Sequence, residues 1–160
     1  MTTADQSAWP HGKPAVGQAA RRSRRVTQAD IHRFTELSGD RNPLHYDAEA
    51  AAATRLGGVV VQGGVTTAVL NALVAEDLPG PGTVFLQLDL RFLAPVRPGE
   101  EIIGEATVTA VRDDKPICEL EVAVVRDDGT RAVEGRAVTY TFALPSAPAI
   151  PPAGARGERA

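Results

Sequence analysis

The period at which hydrophobic residues recur changes along this chain, and the changes divide it into elements. Ile31, Phe34 and Leu37 recur at helical spacing, with Thr27 as a candidate N-cap and acidic Asp30 three residues on. That pattern predicts a short helix with one buried face. Ser38-Gly39-Asp40 stops it, and Asn42-Pro43 prevents an immediate restart, because the residue before a proline is driven out of helical conformation. Ala48 to Thr54 predicts a short alanine-rich helix, ended by Arg55-Leu56-Gly57-Gly58. A brief apolar run, Val59-Val60-Val61, leads through Gln62-Gly63-Gly64 into residues 65–77, which are apolar on nearly every side. Thr66, Thr67 and Asn71 are the polar exceptions there, and such a helix must be buried over most of its surface. Pro79-Gly80-Pro81-Gly82 follows and stops it.

Beyond that point the period becomes two. In residues 84–93, Leu86, Leu88, Leu90 and Phe92 alternate with Gln87, Asp89 and Arg91. Residues 101–111, 117–126 and 131–142 read as further strands, separated by Pro95 and Pro98-Gly99, by Asp113-Asp114-Lys115-Pro116, and by the hairpin signal Asp128-Gly129. Consecutive strands joined by short turns favour an antiparallel sheet. Together with a helix that needs burial, they predict an α+β domain in which a curved antiparallel sheet wraps around the long helix. Residues 1–14 and 145–160 read as flexible tails, the latter rich in proline and alanine, which leaves 15–144 as the domain.

A chain of 160 residues holds one domain with a sizeable core. A single cysteine, Cys118, rules out an internal disulfide, and three histidines without ligand spacing predict no metal site. The net charge of −3 gives the whole molecule no electrostatic case for binding nucleic acid. Arg21, Arg22, Arg24 and Arg25 form a local basic stretch without interleaved aromatics. It reads as a solvated edge strand whose charges discourage edge-to-edge pairing; a nucleic-acid patch is the weaker alternative. With no signal-peptide pattern and no long apolar run, the expected location is cytoplasmic, with no membrane partner.

The loop after the first helix carries the candidate chemistry. Asp40 and His45 stand five residues apart with Asn42 between them. A carboxylate and an imidazole beside apolar residues are the parts of a general acid/base pair. Taken alone, an aspartate after Ser38-Gly39 is more often a turn or cap residue, and a lone loop histidine is usually a solvated surface group. Asn42 either orients this loop toward the pair or serves the turn. His32 is expected at the surface.

The strings Phe34-Thr35-Glu36-Leu37-Ser38-Gly39-Asp40 and Asn42-Pro43-Leu44-His45-Tyr46-Asp47 resemble the signature of the MaoC-like, (R)-specific enoyl-CoA hydratase family. The resemblance runs from about Val16 to Phe142, and includes Pro79 to Gly82, Pro95 to Glu101 and Asp113 to Pro116. It implies the hot-dog fold. It also implies that Asp40 and His45 hold one water and add it reversibly to a trans-2-enoyl thioester, giving the (R)-3-hydroxyacyl thioester. Gly63 matches the family's glycine, and a backbone N–H at a helix start suits a developing enolate oxygen; the alternative is that Gly63 and Gly64 only let the chain turn. Asn42, Gln62, Gly64 and Asn71 are the candidates for contact with substrate. The substrate's own coenzyme A or acyl-carrier pantetheine is the only group implied, with no separate cofactor, and some of the basic-stretch arginines could meet its phosphates. A homodimer is expected, since a half-open sheet leaves an edge and an apolar face to cover.

The chain departs from the family where Gln62 replaces the usual histidine before the glycine and Gly64 replaces a bulky apolar residue. The first bears on how tightly the Gly63 amide is held, and the second offers room for an unusual acyl group. Two further functions compete: a hot-dog thioesterase, and a non-catalytic acyl-binding or partner subunit. The intact Asp40–His45 pair argues against both, while Gln62 keeps the second open.

Overall fold

The computed structural model describes residues 9, 10 and 12–145. In chain order the elements are β1 (Ala19–Arg25), α1 (Gln28–Ser38), a single 3-10 turn (Pro43–His45), α2 (Ala48–Ala52), α3 (Gly63–Glu76), β2 (Thr83–Phe92), β3 (Glu101–Val111), β4 (Ile117–Arg126) and β5 (Arg131–Thr141). The strands form one five-stranded antiparallel sheet in the order β1-β3-β4-β5-β2. Its concave side holds α3, which lies against β1, β2, β3 and β4, with α1 packed on its outer side. This is the predicted sheet around a central helix. The basic stretch is the edge strand β1, paired with β3 from Ala19 opposite Thr107 to Arg25 opposite Glu101.

The core lies between α3 and the sheet. Val69, Leu70, Leu73 and Val74 meet Ile102, Ala106 and Val108 of β3, Leu120, Val122 and Val124 of β4, and Val133 of β5. Each Val, Leu or Ile among them contributes about 1.5–3 kcal/mol when fully buried. Gly104 of β3 points at the helix, where a Cβ would stand 3.1 Å from Val69 Cγ1. Its missing side chain lets helix and strand approach closely.

The structure corrects four details of the pattern. Leu37 is 80% exposed, so the buried face of α1 is Ile31 and Thr35, with Phe34 half-buried. One stripe of α3 stays open, and Asn71 lies exposed on it rather than as a buried amide. In β2 a register shift between Phe85 and Gln87 breaks the expected alternation, and Leu86, Leu88 and Phe92 are exposed in the single chain, with nothing among the described residues covering them. The segment read as an N-terminal tail contributes to the core: Trp9 is buried and its Nε1 donates to the Arg112 carbonyl at 3.2 Å. The rest of that segment through residue 8, and the expected C-terminal tail from residue 146, lie outside the described residues.

The four β1 arginines each face a carboxylate: Arg21 with Glu105, Arg22 with Asp77, Arg24 with Asp30 and Arg25 with Glu101. Each arginine of the stretch thus has a carboxylate partner within the fold.

Candidate active site

The site is built where α1 ends, and each residue of the turn has a physical task. Gly39 adopts the left-handed conformation (φ 79°) and its N–H donates to the Thr35 carbonyl at 2.8 Å, closing the helix. Ser38 Oγ donates to the Phe34 carbonyl at 2.6 Å and accepts from the Asp40 N–H at 3.1 Å. The Asn42 side chain accepts from the Leu44 N–H at 3.1 Å and caps the 3-10 turn. Its backbone N–H donates to Asp40 Oδ1 at 3.0 Å. Asn42 thus serves the turn with its side chain and the acid with its main chain.

With Oδ1 held, Asp40 presents Oδ2 to His45 Nε2 at 3.4 Å. His45 is buried, whereas the Asp40 side chain is 38% exposed. The other imidazole nitrogen, Nδ1, lies 2.7 Å from the Val60 carbonyl oxygen. A carbonyl can only accept, so Nδ1 carries a proton, and Nε2 is the nitrogen turned toward Asp40. A carboxylate oxygen and an imidazole nitrogen facing one another can between them take up and return the protons of one water. The Val60 segment is itself tied down. Its N–H donates to the Leu44 carbonyl at 3.2 Å, and Arg97 donates to the carbonyls of Leu56 and of Val59, the latter at 3.3 Å.

Gln62 caps α3 and Gly63 opens it. The Gly63 and Gly64 N–H groups have no acceptor among the described residues, as the first turn of a helix dictates. Gly63 lines a cleft of about 310 Å³ with Leu56, Val60, Val61, Thr66 and Phe92. Asp40 and His45 do not line that cleft; Val60 connects the two, presenting its carbonyl to His45 and its side of the chain to the cleft. Gln62 is buried at 1% exposure, so its side chain faces the protein and not the cleft. The space at Gly64 is not empty: a Cβ there would stand 2.1 Å from Phe34 Cζ, so the Phe34 ring fills the room expected for an acyl group. Asn71 is exposed, its side chain without a hydrogen bond among the described residues, two helical turns beyond Gly63.

Residues that were assigned no part in the site from sequence alone complete it. Thr35 Oγ1 donates to the Asp40 carbonyl at 2.7 Å, contacts the Tyr46 hydroxyl, and lies 3.2 Å from Gln62 Nε2. A threonine one helical turn after Ile31 on an otherwise apolar face was the available signal. Below it, Asp30 is buried and receives hydrogen bonds from the Thr27 N–H at 2.9 Å and from Arg24 at 2.6 Å. Burial acts to push its carboxyl up, yet these bonds and the Arg24 charge outweigh it and hold the group below its ordinary value of 3.8.

Comparison with known proteins places this arrangement among others. A family model described as MaoC like domain matches residues 12–129. An (R)-specific enoyl-CoA hydratase of Aeromonas caviae is 41% identical over 123 residues, which cover 77% of this chain and 92% of that protein. A mitochondrial 3-hydroxyacyl-[acyl-carrier-protein] dehydratase of Solanum lycopersicum, FERN, is 30% identical over 86% of this chain and 81% of its own. Among solved structures, the R-hydratase PhaJ1 from Pseudomonas aeruginosa superposes with a TM-score of 0.76 at 32% identity, covering 89% of this chain and 96% of that one.

Proposed function

The chain belongs to the MaoC-like domain family, and from that premise we propose that Asp40 and His45 activate one water for the reversible hydration of a trans-2-enoyl thioester to its (R)-3-hydroxyacyl thioester. The protein is a hydro-lyase with a hot-dog fold. The single observation supporting these roles is the facing of Asp40 Oδ2 and His45 Nε2 at 3.4 Å, with Nδ1 held by the Val60 carbonyl.

In the hydration direction the water oxygen forms a bond to C3 while its proton passes to the pair. The C2=C3 electron pair moves toward C1, charge gathers on the thioester oxygen, and the pair returns a proton to C2 on the same face. Positioned proton transfer of this kind is worth roughly 10²–10⁴-fold. The free N–H of Gly63 is assigned to the enolate oxygen; losing one such donor costs about 3 kcal/mol. The only non-protein group this chemistry uses is the substrate's own pantetheine arm, carried by coenzyme A or by an acyl carrier protein. The Aeromonas relative is named for the first carrier and the Solanum relative for the second.

A homodimer belongs to the same reading. β2 is a sheet edge, and its Val84, Leu86, Leu88 and Phe92 are 46%, 57%, 39% and 59% exposed. A second copy laid along this strand covers both the unpaired backbone and the apolar face. Sedimentation at micromolar concentration is expected to give a dimer, and a monodisperse monomer contradicts it.

The test of the catalytic roles follows the loss of enoyl absorbance with crotonyl-CoA and with a crotonyl carrier protein, and assays thioester cleavage alongside. Asp40→Asn and His45→Gln are expected to lower kcat by roughly 10²–10⁴-fold while remaining folded. Undiminished hydration by either variant removes that residue from the mechanism, and cleavage without hydration makes the protein a thioesterase.

A further inference from the structure

Thr35 Oγ1 has one proton and two lone pairs, and all three are committed. The Asp40 carbonyl can only accept, so the Thr35 proton goes there, over 2.7 Å. The Tyr46 hydroxyl must then donate to Thr35, and Gln62 Nε2 donates to it over 3.2 Å. The orientation of the Gln62 amide is set by its other bond, Nε2 to the Ile31 carbonyl at 3.1 Å, since a flipped amide would put two acceptors together. One hydroxyl thereby joins three segments: the loop that bears Asp40, the turn that bears His45 next to Tyr46, and the cap residue immediately before Gly63.

The same arrangement leaves Gln62 Oε1 buried with no hydrogen-bond partner among the described residues. Burying an unpaired carbonyl is unfavourable. A methionine of similar volume would avoid that cost, so the amide is poorly explained by stability alone. The family's usual histidine at this position is absent, and the glutamine supplies a donor aimed at Thr35.

Resting on the hydratase reading above, we infer that Thr35, Tyr46 and Gln62 form a positioning hub that sets Asp40 against His45 and against the Gly63 amide. None of the three touches the reacting atoms. Thr35 acts through the Asp40 main chain, and Gln62 acts through Thr35. A displacement of about 1 Å in such a pair is enough to cost up to about 100-fold in rate.

The experiment measures kcat and KM on the better of the two crotonyl thioesters, melting temperature, and crystal structures for Thr35→Val, Thr35→Ser, Gln62→Met and the Thr35→Val/Gln62→Met double variant. Thr35→Val and Gln62→Met are expected to lower kcat by about 10- to 100-fold with KM changed less than about twofold. Gln62→Met melts near the wild-type temperature, because the orphan carbonyl leaves with the lost bonds. Thr35→Ser, which keeps the hydroxyl, recovers most of the rate. The double variant is no slower than the slower single one, since both cut the same network. Independent, multiplying losses, or kcat within about twofold of wild type for both single variants, overturn the hub. The structures decide the matter without activity: in Thr35→Val the 3.4 Å separation of Asp40 Oδ2 and His45 Nε2 is expected to change by about 1 Å. A wild type inert on both thioesters defeats the hydratase reading. An unchanged Asp40–His45 separation in Thr35→Val defeats the hub.

Discussion

The Phe34 ring stands in the space a side chain at Gly64 would need, 2.1 Å from Cζ to the position of a Cβ. The two residues are therefore coupled. In the wild type, Gly64→Ala drives the ring off the first turn of α3 and is expected to destabilise the fold by about 1–3 kcal/mol. In a Phe34→Ala background the clash is gone, and the same substitution is expected to stabilise by up to about 1 kcal/mol, because alanine is the better helix former. A denaturant double-mutant cycle measures both. Equal effects in the two backgrounds would mean that the ring does not rest where it is seen.

Asp30 links stability to pH. Its carboxyl is held below the ordinary value of 3.8 in the fold, so the stability it contributes is present above that value and disappears as the pH falls through the lower, folded one. Asp30→Asn is expected to cost roughly 1–3 kcal/mol near neutrality. The gap between wild type and variant should close as the pH drops below 3.8, measured by urea midpoints across a pH series. A gap that widens in acid would reverse the assigned sign.

Cys118 is fully buried, and burial first, with Glu119 second, pushes its thiol up to about 11. Its sulfur should therefore resist a thiol-reactive dye in the folded protein at pH 8 and react once the chain is unfolded, one equivalent per chain. Rapid stoichiometric labelling of the folded protein would place the sulfur at the surface.

Asn42→Ala separates the turn from the chemistry. It removes the acceptor of the Leu44 N–H and should cost about 1 kcal/mol of stability. The backbone N–H that holds Asp40 Oδ1 remains, so kcat should fall far less than in Asp40→Asn. A loss as large as that of Asp40→Asn would give the amide side chain a direct part in the reaction.

Much of this was legible in the chain itself. The strand ends at β3 and β4 coincide with the period-two runs, because their turns are marked by proline, glycine and aspartate. Asp40 and His45 were legible for a related reason: the turn that joins them is made by the residues between them. The network joining Thr35, Tyr46 and Gln62 was not, and Gln62 was read as a substrate contact, since its partners lie 27 and 31 residues away and a hydroxyl carries no periodic mark. Trp9 was misread for the same cause, its partner at Arg112 being 103 residues distant. The exposure of β2 reflects a different limit: alternation shows that a face is apolar, not whether the chain supplies its cover.

The group that fixes the His45 tautomer is the main-chain carbonyl of Val60. No exchange of side chains can delete it. A saturation scan of this protein would register position 60 only through the fit of its apolar side chain, and would score the atom that orients the imidazole as silent. The tautomer is thus written into the path of the backbone, shielded from single-codon change, while the acid facing it on Asp40 stays one substitution from loss.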